Sequence, residues 1–378
     1  MMVLKNMIKS GTIVMTLFTS IFTFSHAATP ENLYGRWADG KNGVVAAASP
    51  EASKIGVEIM KKGGNAVDAA VATAFAISVF EPNASGIGGG GFMLIRMAKT
   101  GKTVVIDYRE KAPSKATPDM FVLDENGKVV NNEIVEGGKA SGVPGTVAGL
   151  LTALEKYGTM KRADVMAPAI KYAEEGITVS KNLETIIQDN YEKLAKFEAA
   201  GEVYLKDGLP YEAGDKLVNK DLAKTLKKIA KEGKKGFYEG EIANKIAAEV
   251  QKQGGLMTAE DIKNYSIEER EPVEGTYRGY TIISCPPASS GGTHIVQLLN
   301  MMENYDLKSL GDNTPESWHV WAESMKQVFA DRAEYMGDTA YVKVPLKGLT
   351  SKEYAKDLVK KIDLEKAGKD IKVGDPSK

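Results

Sequence analysis

Apolar positions along the chain change from helix-like to strand-like spacing and back. A spacing of three to four residues predicts helices over residues 51–62 and over the small-residue stretch 65–79. Short apolar runs at 92–97 and 103–108 predict strands, and the turn-forming residues 99–102 lie between them. These two strands are expected to form a β-hairpin.

The same criteria extend over the rest of the chain, where helical patterns dominate. A mixed order of helices and strands of this kind is compatible with an α/β fold, although the order alone does not show it. The further predicted elements are a strand at 43–48, a mainly helical stretch at about 146–263 with clear amphipathic segments at 221–232 and 242–253, a strand at 277–284, helices at 293–304 and 315–335, and a charged helix at 352–366.

A glycine run, Gly86-Ile87-Gly88-Gly89-Gly90-Gly91, lies between the small-residue helix and the first strand of the hairpin. It matches G-x-G-x-x-G, but the dinucleotide-binding fingerprint requires a strand before the glycines and a helix after them. The order here is reversed, which excludes the nucleotide interpretation. Consecutive glycines favour a place where backbone segments approach each other closely or where φ must be positive, such as a sheet edge that lies against a ligand or another strand.

Arg109 follows the second strand of the hairpin and precedes a loop that contains Pro113. A guanidinium stays charged at working pH and can bind a carboxylate through two hydrogen bonds. The alternative is a surface ion pair with a neighbour such as Glu110. Asp107 lies two residues before Arg109 and so on the same strand face, from which it could orient the guanidinium.

Several spaced motifs, in this order, resemble the γ-glutamyltranspeptidase family over nearly the whole chain. They are Lys62-Gly63-Gly64-Asn65-Ala66-Val67-Asp68-Ala69-Ala70, Gly88-Gly89-Gly90-Gly91-Phe92-Met93, Asp107-Tyr108-Arg109-Glu110, Ala116-Thr117-Pro118-Asp119-Met120-Phe121, Gly142-Val143-Pro144-Gly145-Thr146-Val147-Ala148-Gly149, Pro286-Pro287-Ala288-Ser289-Ser290-Gly291-Gly292, Ala330-Asp331-Arg332 and Val344-Pro345-Leu346.

The resemblance implies an N-terminal-nucleophile hydrolase with an αββα sandwich, here without its small-subunit half. In that family a precursor cleaves itself before a threonine, whose amine and hydroxyl then act as base and nucleophile. The γ-glutamyl group of glutathione passes through a γ-glutamyl-threonine intermediate to water, amino acids or peptides. Arg109 matches the arginine that holds the substrate α-carboxylate.

The nucleophilic threonine is not expected within these residues, since the sequence ends at Gly374-Asp375-Pro376-Ser377-Lys378. We therefore expect no catalytic residue in the chain and no activity without a small subunit that carries an N-terminal threonine. The chain is then either a natural large subunit or part of a shortened frame. The alternative function is a non-catalytic family scaffold that binds γ-glutamyl compounds or a partner chain. Cephalosporin acylases and poly-γ-glutamate depolymerases share the fold, but the Arg109 segment favours a substrate with a free α-carboxylate.

The N-terminus has the pattern of an export signal. Lys5 and Lys9 precede an uncharged apolar stretch at 11–24, and Ser25-His26-Ala27 offers small residues for a signal peptidase. We expect a signal peptide at 1–27, a large-subunit region at 28–378, and a periplasmic or secreted protein without a membrane span after cleavage. An uncleaved anchor is the alternative, but the stretch is shorter than the roughly 20 residues that span a bilayer.

Charge and cysteine content narrow the range of partners. Loss of residues 1–27 removes two lysines and no acids, so the net charge changes from −1 to −3, which gives no reason to expect a nucleic acid partner. The single cysteine, Cys285, is expected to be a buried, inert thiol. Ser290 and His294 could approach each other, but the nucleophile-elbow pattern is absent. Ser289 or Ser290 is instead expected to cap the following helix.

Two further pairs lie on the predicted helix at 315–335. His319 and Glu323 have a spacing that suits a metal, yet the chain after residue 27 has only two histidines, so neither a metal nor a cofactor is expected. Asp331 and Arg332, near Tyr335, are expected to form an internal ion pair that ties the helix to the sheet.

Overall fold

A computed structural model describes residues 38–377, so the predicted signal peptide lies outside the described residues. Residues 38–44 form one unit and contain neither helix nor strand, and residues 45–377 form a second unit. Within 38–377, no helix combines the length and apolar character that a bilayer crossing requires.

Helices make up most of the second unit. They are α1 (Pro50–Lys61), α2 (Ala66–Phe80), α3 (Thr146–Tyr157), α4 (Arg162–Glu175), α5 (Lys181–Asp189), α6 (Tyr191–Lys196), α7 (Glu198–Tyr204), α8 (Lys220–Glu232), α9 (Lys235–Tyr238), α10 (Glu241–Lys252), α11 (Ala259–Lys263), α12 (Gly291–Met302), α13 (Leu307–Leu310), α14 (Pro315–Tyr335), α15 (Leu346–Leu349) and α16 (Lys352–Val359).

The strands are β1 (Phe92–Arg96), β2 (Thr103–Asp107), β3 (Ile177–Thr178), β4 (Leu205–Lys206), β5 (Leu209–Pro210), β6 (Lys216–Leu217), β7 (Glu268–Arg270), β8 (Val273–Tyr277) and β9 (Tyr280–Ser284). The predicted hairpin is confirmed, since β1 pairs antiparallel with β2 and Phe92 lies opposite Asp107. β7 pairs with the other side of β2 and completes a three-stranded antiparallel sheet. The pairs β3–β6, β4–β5 and β8–β9 are separate two-stranded ladders.

The small-residue helix α2 is the centre of the larger hydrophobic core. Its alanines allow close packing against α1 and α4, and Phe75 and Ala76 are fully buried. Asn65 caps its first turn and forms a capping box with Asp68. The buried Asp68 carboxylate also accepts hydrogen bonds from Thr159, so the loop after α3 is fixed to the beginning of α2.

Three predicted elements differ from the structure. Residues 43–48 form no strand, because no described segment pairs with them. The strand predicted at 277–284 is the second half of a hairpin, in which Arg278 and Gly279 both have positive φ and form the turn between β8 and β9. The last helix ends at Val359 rather than at 366, since residues 363–374 leave the helix and make hydrogen bonds to α14.

The start of α3 packs closely against Tyr108, the first residue after β2. A Cβ at Gly149 would lie 2.1 Å from Cγ of Tyr108, and a Cβ at Gly145 would lie 2.0 Å from the carbonyl oxygen of Tyr108. A larger residue at either position would push the helix away from the strand that precedes Arg109.

We expect Gly149→Ala to lower the free energy of unfolding by about 1–3 kcal/mol, because the added methyl group overpacks the contact with Tyr108. Gly201→Ala, in α7, is the matched control. A Cβ there meets its nearest heavy atom at 3.4 Å, so the gain in helix propensity should raise stability by about 0.5–1 kcal/mol. Urea unfolding followed by circular dichroism measures both, and equal effects of the two substitutions would contradict the proposed close contact.

Candidate functional site

Arg109 is the second residue after β2, and both of its backbone polar groups are held. Its N–H donates to Oδ1 of Asp107 at 3.1 Å, and its carbonyl accepts a hydrogen bond from the hydroxyl of Tyr265 at 2.8 Å. The backbone from which the Arg109 side chain extends is therefore held on both sides. A fixed backbone reduces the conformational entropy that the guanidinium loses when it binds a ligand.

Beneath this loop lies the glycine run. Gly91 and Tyr108 exchange two backbone hydrogen bonds, at 3.3 and 2.9 Å, and the carbonyl of Gly89 accepts from the N–H groups of Gly145 and Thr146. A Cβ at Gly90 would lie 2.6 Å from the carbonyl oxygen of Tyr108. The predicted close approach of backbone segments is confirmed, and it joins the Arg109 loop to the first turn of α3.

Two tyrosines support the same loop. The rings of Tyr238 and Tyr265 stack with centroids 5.7 Å apart, and the Tyr238 hydroxyl donates to the carbonyl of Pro144 and accepts from the N–H of Ala148. Burial raises the pKa of both hydroxyls well above the usual tyrosine value. Both tyrosines therefore keep their protons at neutral pH, and Tyr265 stays a donor to Arg109.

The guanidinium of Arg109 is exposed, and it makes no hydrogen bond or ion pair with any residue between 38 and 377. The alternative ion pair with Glu110 is thus not formed within the described chain. A fixed cation with free donors is suited to a small anion, and the planar fork of donors matches a carboxylate.

Asp107 contacts a different cation from the expected one. Its buried carboxylate accepts from Nε of Arg270 at 2.8 Å, and Nη1 of Arg270 donates to Oγ1 of Thr339 at 3.1 Å. No local pattern in the sequence indicates that β7 pairs with β2, and this pairing brings Arg270 next to Asp107. Asp107 therefore acts on Arg109 through the backbone N–H and not through the guanidinium.

The expected Asp331–Arg332 ion pair is wrong. Asp331 is fully buried and accepts from Gln297 at 2.5 Å, from the hydroxyl of Tyr354 at 2.8 Å and from the N–H of Gly374 at 3.0 Å. Arg332 is exposed. Successive side chains point about 100° apart around a helix axis, so the two neighbours face opposite environments.

Ser290 and His294 have separate partners. The Ser290 hydroxyl accepts from Nε of Arg332 at 3.1 Å, whereas Nδ1 of His294 lies 2.8 Å from Oε1 of Gln297. Because the amide of Gln297 donates to Asp331, its oxygen accepts the proton of His294 Nδ1. Burial lowers the pKa of His294, which keeps the ring neutral. The expected side-chain cap is not formed, because the N-cap residue of α12 is Ser290 and its hydroxyl makes no capping hydrogen bond. The hydroxyl of Ser289 accepts from the N–H of Gly291 at 3.3 Å instead.

The remaining candidates are also engaged elsewhere. Nε2 of His319 donates to the carbonyl of Asp363, and Glu323 pairs with Lys326 at 2.7 Å. Among the residues that the structure describes, no group of three or more potential ligands could hold a metal ion. Cys285 is half-buried, and burial raises the pKa of its thiol, so the unreactive protonated form predominates at neutral pH.

Sequence reasoning missed Tyr238, Tyr265 and Arg270. All three lie more than 90 residues from the loop that they support. A single tyrosine or arginine in a polar stretch has no periodic signal that would connect it with a distant strand.

Comparison with known proteins gives a consistent result. The family model described as gamma-glutamyltranspeptidase matches residues 52–377. Glutathione hydrolase proenzyme of Escherichia coli (strain K12) is 48% identical over 86% of this chain, and the protein of the same name from Bacillus subtilis (strain 168) is 45% identical over 97% of it. The chain spans only 56% and 62% of the length of these two relatives.

A solved structure shows the same architecture. The crystal structure of Helicobacter pylori gamma-glutamyltranspeptidase superposes with a TM-score of 0.84 at 45% identity, over 90% of this chain and 96% of that chain. This likeness confirms the α/β fold class that the resemblance implied.

We expect Asp107→Asn to lower the free energy of unfolding by about 2–4 kcal/mol, because it leaves the half-buried cation of Arg270 without a charged partner. Glu268→Gln is the matched control, since Glu268 lies on β7 in an exposed pair with Lys111 at 3.8 Å. That change should alter stability by less than about 0.5 kcal/mol. Chemical unfolding compares the two, and a neutral Asp107→Asn substitution would contradict the assigned contact.

Proposed function

The chain belongs to the γ-glutamyltranspeptidase family, and on that premise we propose that it is the large-subunit region of an enzyme that acts on glutathione and related γ-glutamyl compounds. The reaction is transfer of the γ-glutamyl group to water, amino acids or peptides. The observation that carries this proposal is the exposed guanidinium of Arg109 on an immobilised backbone, without a partner among the described residues.

A γ-glutamyl group carries its free α-carboxylate three carbons away from the amide carbonyl that reacts. Arg109 binds this carboxylate and thereby places the carbonyl carbon at a fixed distance from the loop. The hydroxyl of a threonine outside this chain adds to that carbon, the N-terminal amine of the threonine takes the hydroxyl proton, and the amide nitrogen leaves with a proton. Water or an acceptor amine then attacks the γ-glutamyl ester and restores the threonine.

The electrostatics of the loop support this role. The charge of Asp107 is compensated by Arg270, so it does not neutralise the charge of Arg109. A hydrogen bond between charged groups contributes about 1.5–3 kcal/mol, which favours an anionic ligand over a neutral one at this position.

The small subunit is the proposed partner, and exposed apolar residues mark the surface that would receive it. Trp318, Met325 and Phe329 lie on one side of α14, and Trp318 and Phe329 are 60% and 62% exposed. β1 pairs only with β2 among the described strands, so its other edge is open. Burial of such side chains and completion of the sheet would both favour association.

We propose that the protein is exported from the cytoplasm before it acts. The charged start, the apolar stretch and the small residues before 28 support signal cleavage after Ala27 and a periplasmic or secreted enzyme. Glutathione is the proposed small-molecule partner, because its free α-carboxylate suits the guanidinium of Arg109. The net charge is close to zero and gives no reason to expect a nucleic acid partner.

The assay that tests the function is release of 4-nitroaniline from γ-glutamyl-4-nitroanilide by the protein purified from its native source, with mass spectrometry of every chain present. We expect activity together with a second chain that begins with threonine. A lone inactive chain would instead support the non-catalytic scaffold.

In the mature two-chain enzyme, Arg109→Lys should raise KM for glutathione about tenfold, because lysine keeps the charge and loses the bidentate contact. Arg109→Ala should cost about 2–5 kcal/mol of substrate binding. The maximal rate should change less than KM in the lysine variant, since the reacting groups are untouched.

Arg96→Lys is the control for this pair, because Arg96 is also exposed but lies at the opposite end of the hairpin. Steady-state kinetics with glutathione should show wild-type constants for this variant. An unchanged KM in Arg109→Lys would exclude the proposed carboxylate contact.

A further inference from the structure

The segment after α16 runs along α14 and is held there by side chains at nearly regular intervals. His319 donates to the carbonyl of Asp363, and Glu323 accepts from the N–H of Gly368. One to three helical turns beyond Glu323, four further side chains of α14 also bind backbone groups of the segment. These later contacts are Lys326 to the carbonyl of Gly368, Gln327 to the carbonyl of Lys372, Asp331 from the N–H of Gly374, and Tyr335 to the carbonyl of Gly374.

These contacts determine the path of the segment and its register along α14, because successive residues of the helix bind successive backbone groups of the segment. The last of them is double, since Gly374 is bound through its N–H by Asp331 and through its carbonyl by Tyr335. Gly374 and Pro376 are both buried. A Cβ at Gly348 would lie 1.8 Å from the carbonyl oxygen of Pro376, so α15 closes over the segment from another side.

The carboxylate of Asp331 binds Gly374 at a high cost in desolvation free energy. It is fully buried, and its hydrogen-bond partners in the described chain are the neutral groups of Gln297, Tyr354 and Gly374. A buried charge without a counter-ion is unfavourable compared with apolar packing. Stability alone therefore gives a weak reason for Asp331, whereas exact placement of Gly374 gives a strong one.

The same end of α14 is connected to the Arg109 loop. Thr339 follows the helix by four residues and accepts from Arg270, which binds Asp107, which in turn holds the N–H of Arg109. Arg332, adjacent to Asp331, holds Ser290 in the loop before α12. Gly374 is thus held at a helix end, and the chain that follows this helix is linked through Arg270 and Asp107 to the backbone of Arg109.

We propose that Asp331 and Tyr335 are positioning residues for self-cleavage of the precursor: they fix Gly374 so that the following chain reaches the proposed site in one orientation. This inference rests on the proposed function, in which the chain beyond these residues continues to the threonine. The proposed mechanism places neither residue on the substrate or on the bond that is cut.

Asp331→Asn is the sharpest test, because its amide can still accept from Gln297 and Tyr354 while its NH₂ faces the N–H of Gly374. Two donors then oppose each other, and the hold on Gly374 is lost. A misplacement on the order of 1 Å costs up to about 100-fold in rate, so we expect self-cleavage of the full precursor to slow by about tenfold to 100-fold. Tyr335→Phe, which leaves the buried carboxylate intact, should slow it by a smaller factor.

The experiment follows the full-length precursor after purification, by intact mass, and measures activity per cleaved molecule and the melting temperature. Glu334→Gln is the matched control, since it makes the same carboxylate-to-amide change on the exposed side of α14. The proposal expects slow cleavage in Asp331→Asn and Tyr335→Phe, wild-type cleavage in Glu334→Gln, and wild-type activity once a molecule is cleaved.

Wild-type cleavage rates in Asp331→Asn and Tyr335→Phe would overturn the positioning role and leave the proposed function standing. Equal slowing in Glu334→Gln, or loss of activity per cleaved molecule, would overturn it as well, because either result indicates a general structural effect. If Asp331→Asn does not fold, Tyr335→Phe alone decides. A wild-type precursor that never cleaves would overturn the proposed function itself.

Discussion

The position of Arg109 depends on the close approach of backbone segments around a run of glycines. Gly89, Gly90 and Gly91 leave no side chain between the end of β2 and the first turn of α3, so carbonyl and N–H groups of the segments bind each other directly. A Cβ at the centre of this contact would separate the strand from the helix. The rigidity of the loop therefore comes from backbone pairing, and the functional side chain remains free for a ligand.

The local features of this arrangement were predictable from sequence, whereas the long-range ones were not. The hairpin and α14 follow from apolar spacing and turn residues, and the boundaries of α14 agree at both ends. Arg109 is identified by its place after a strand and by the family resemblance. By contrast, the partners of Asp107 and Asp331 come from β7, α12, α16 and the segment after α16, and no local pattern indicates which distant donor will meet a carboxylate.

Two of the buried carboxylates, those of Asp107 and Asp331, illustrate different solutions to one physical problem. Asp107 is compensated by the cation of Arg270, and the pair lies between neighbouring strands. Asp331 has only neutral donors among its described partners, and one of them belongs to the backbone of a segment that itself forms neither helix nor strand. The first arrangement stabilises a sheet. The second lowers the stability of the fold but determines the position of a single glycine, Gly374.

These solutions are joined, because α14 carries Asp331 and the chain that follows α14 contacts Arg270. Its inward face fixes the segment that ends near Gly374, its end is followed by Thr339, and Thr339 binds the arginine that compensates Asp107. A shift of α14 along its axis would therefore disturb the course of the segment and the hydrogen bond to the Arg109 backbone together. The proposed maturation brings a distant threonine to the carboxylate-binding arginine. Because both regions depend on α14, the position of the nucleophile is coupled to the position at which the substrate is bound.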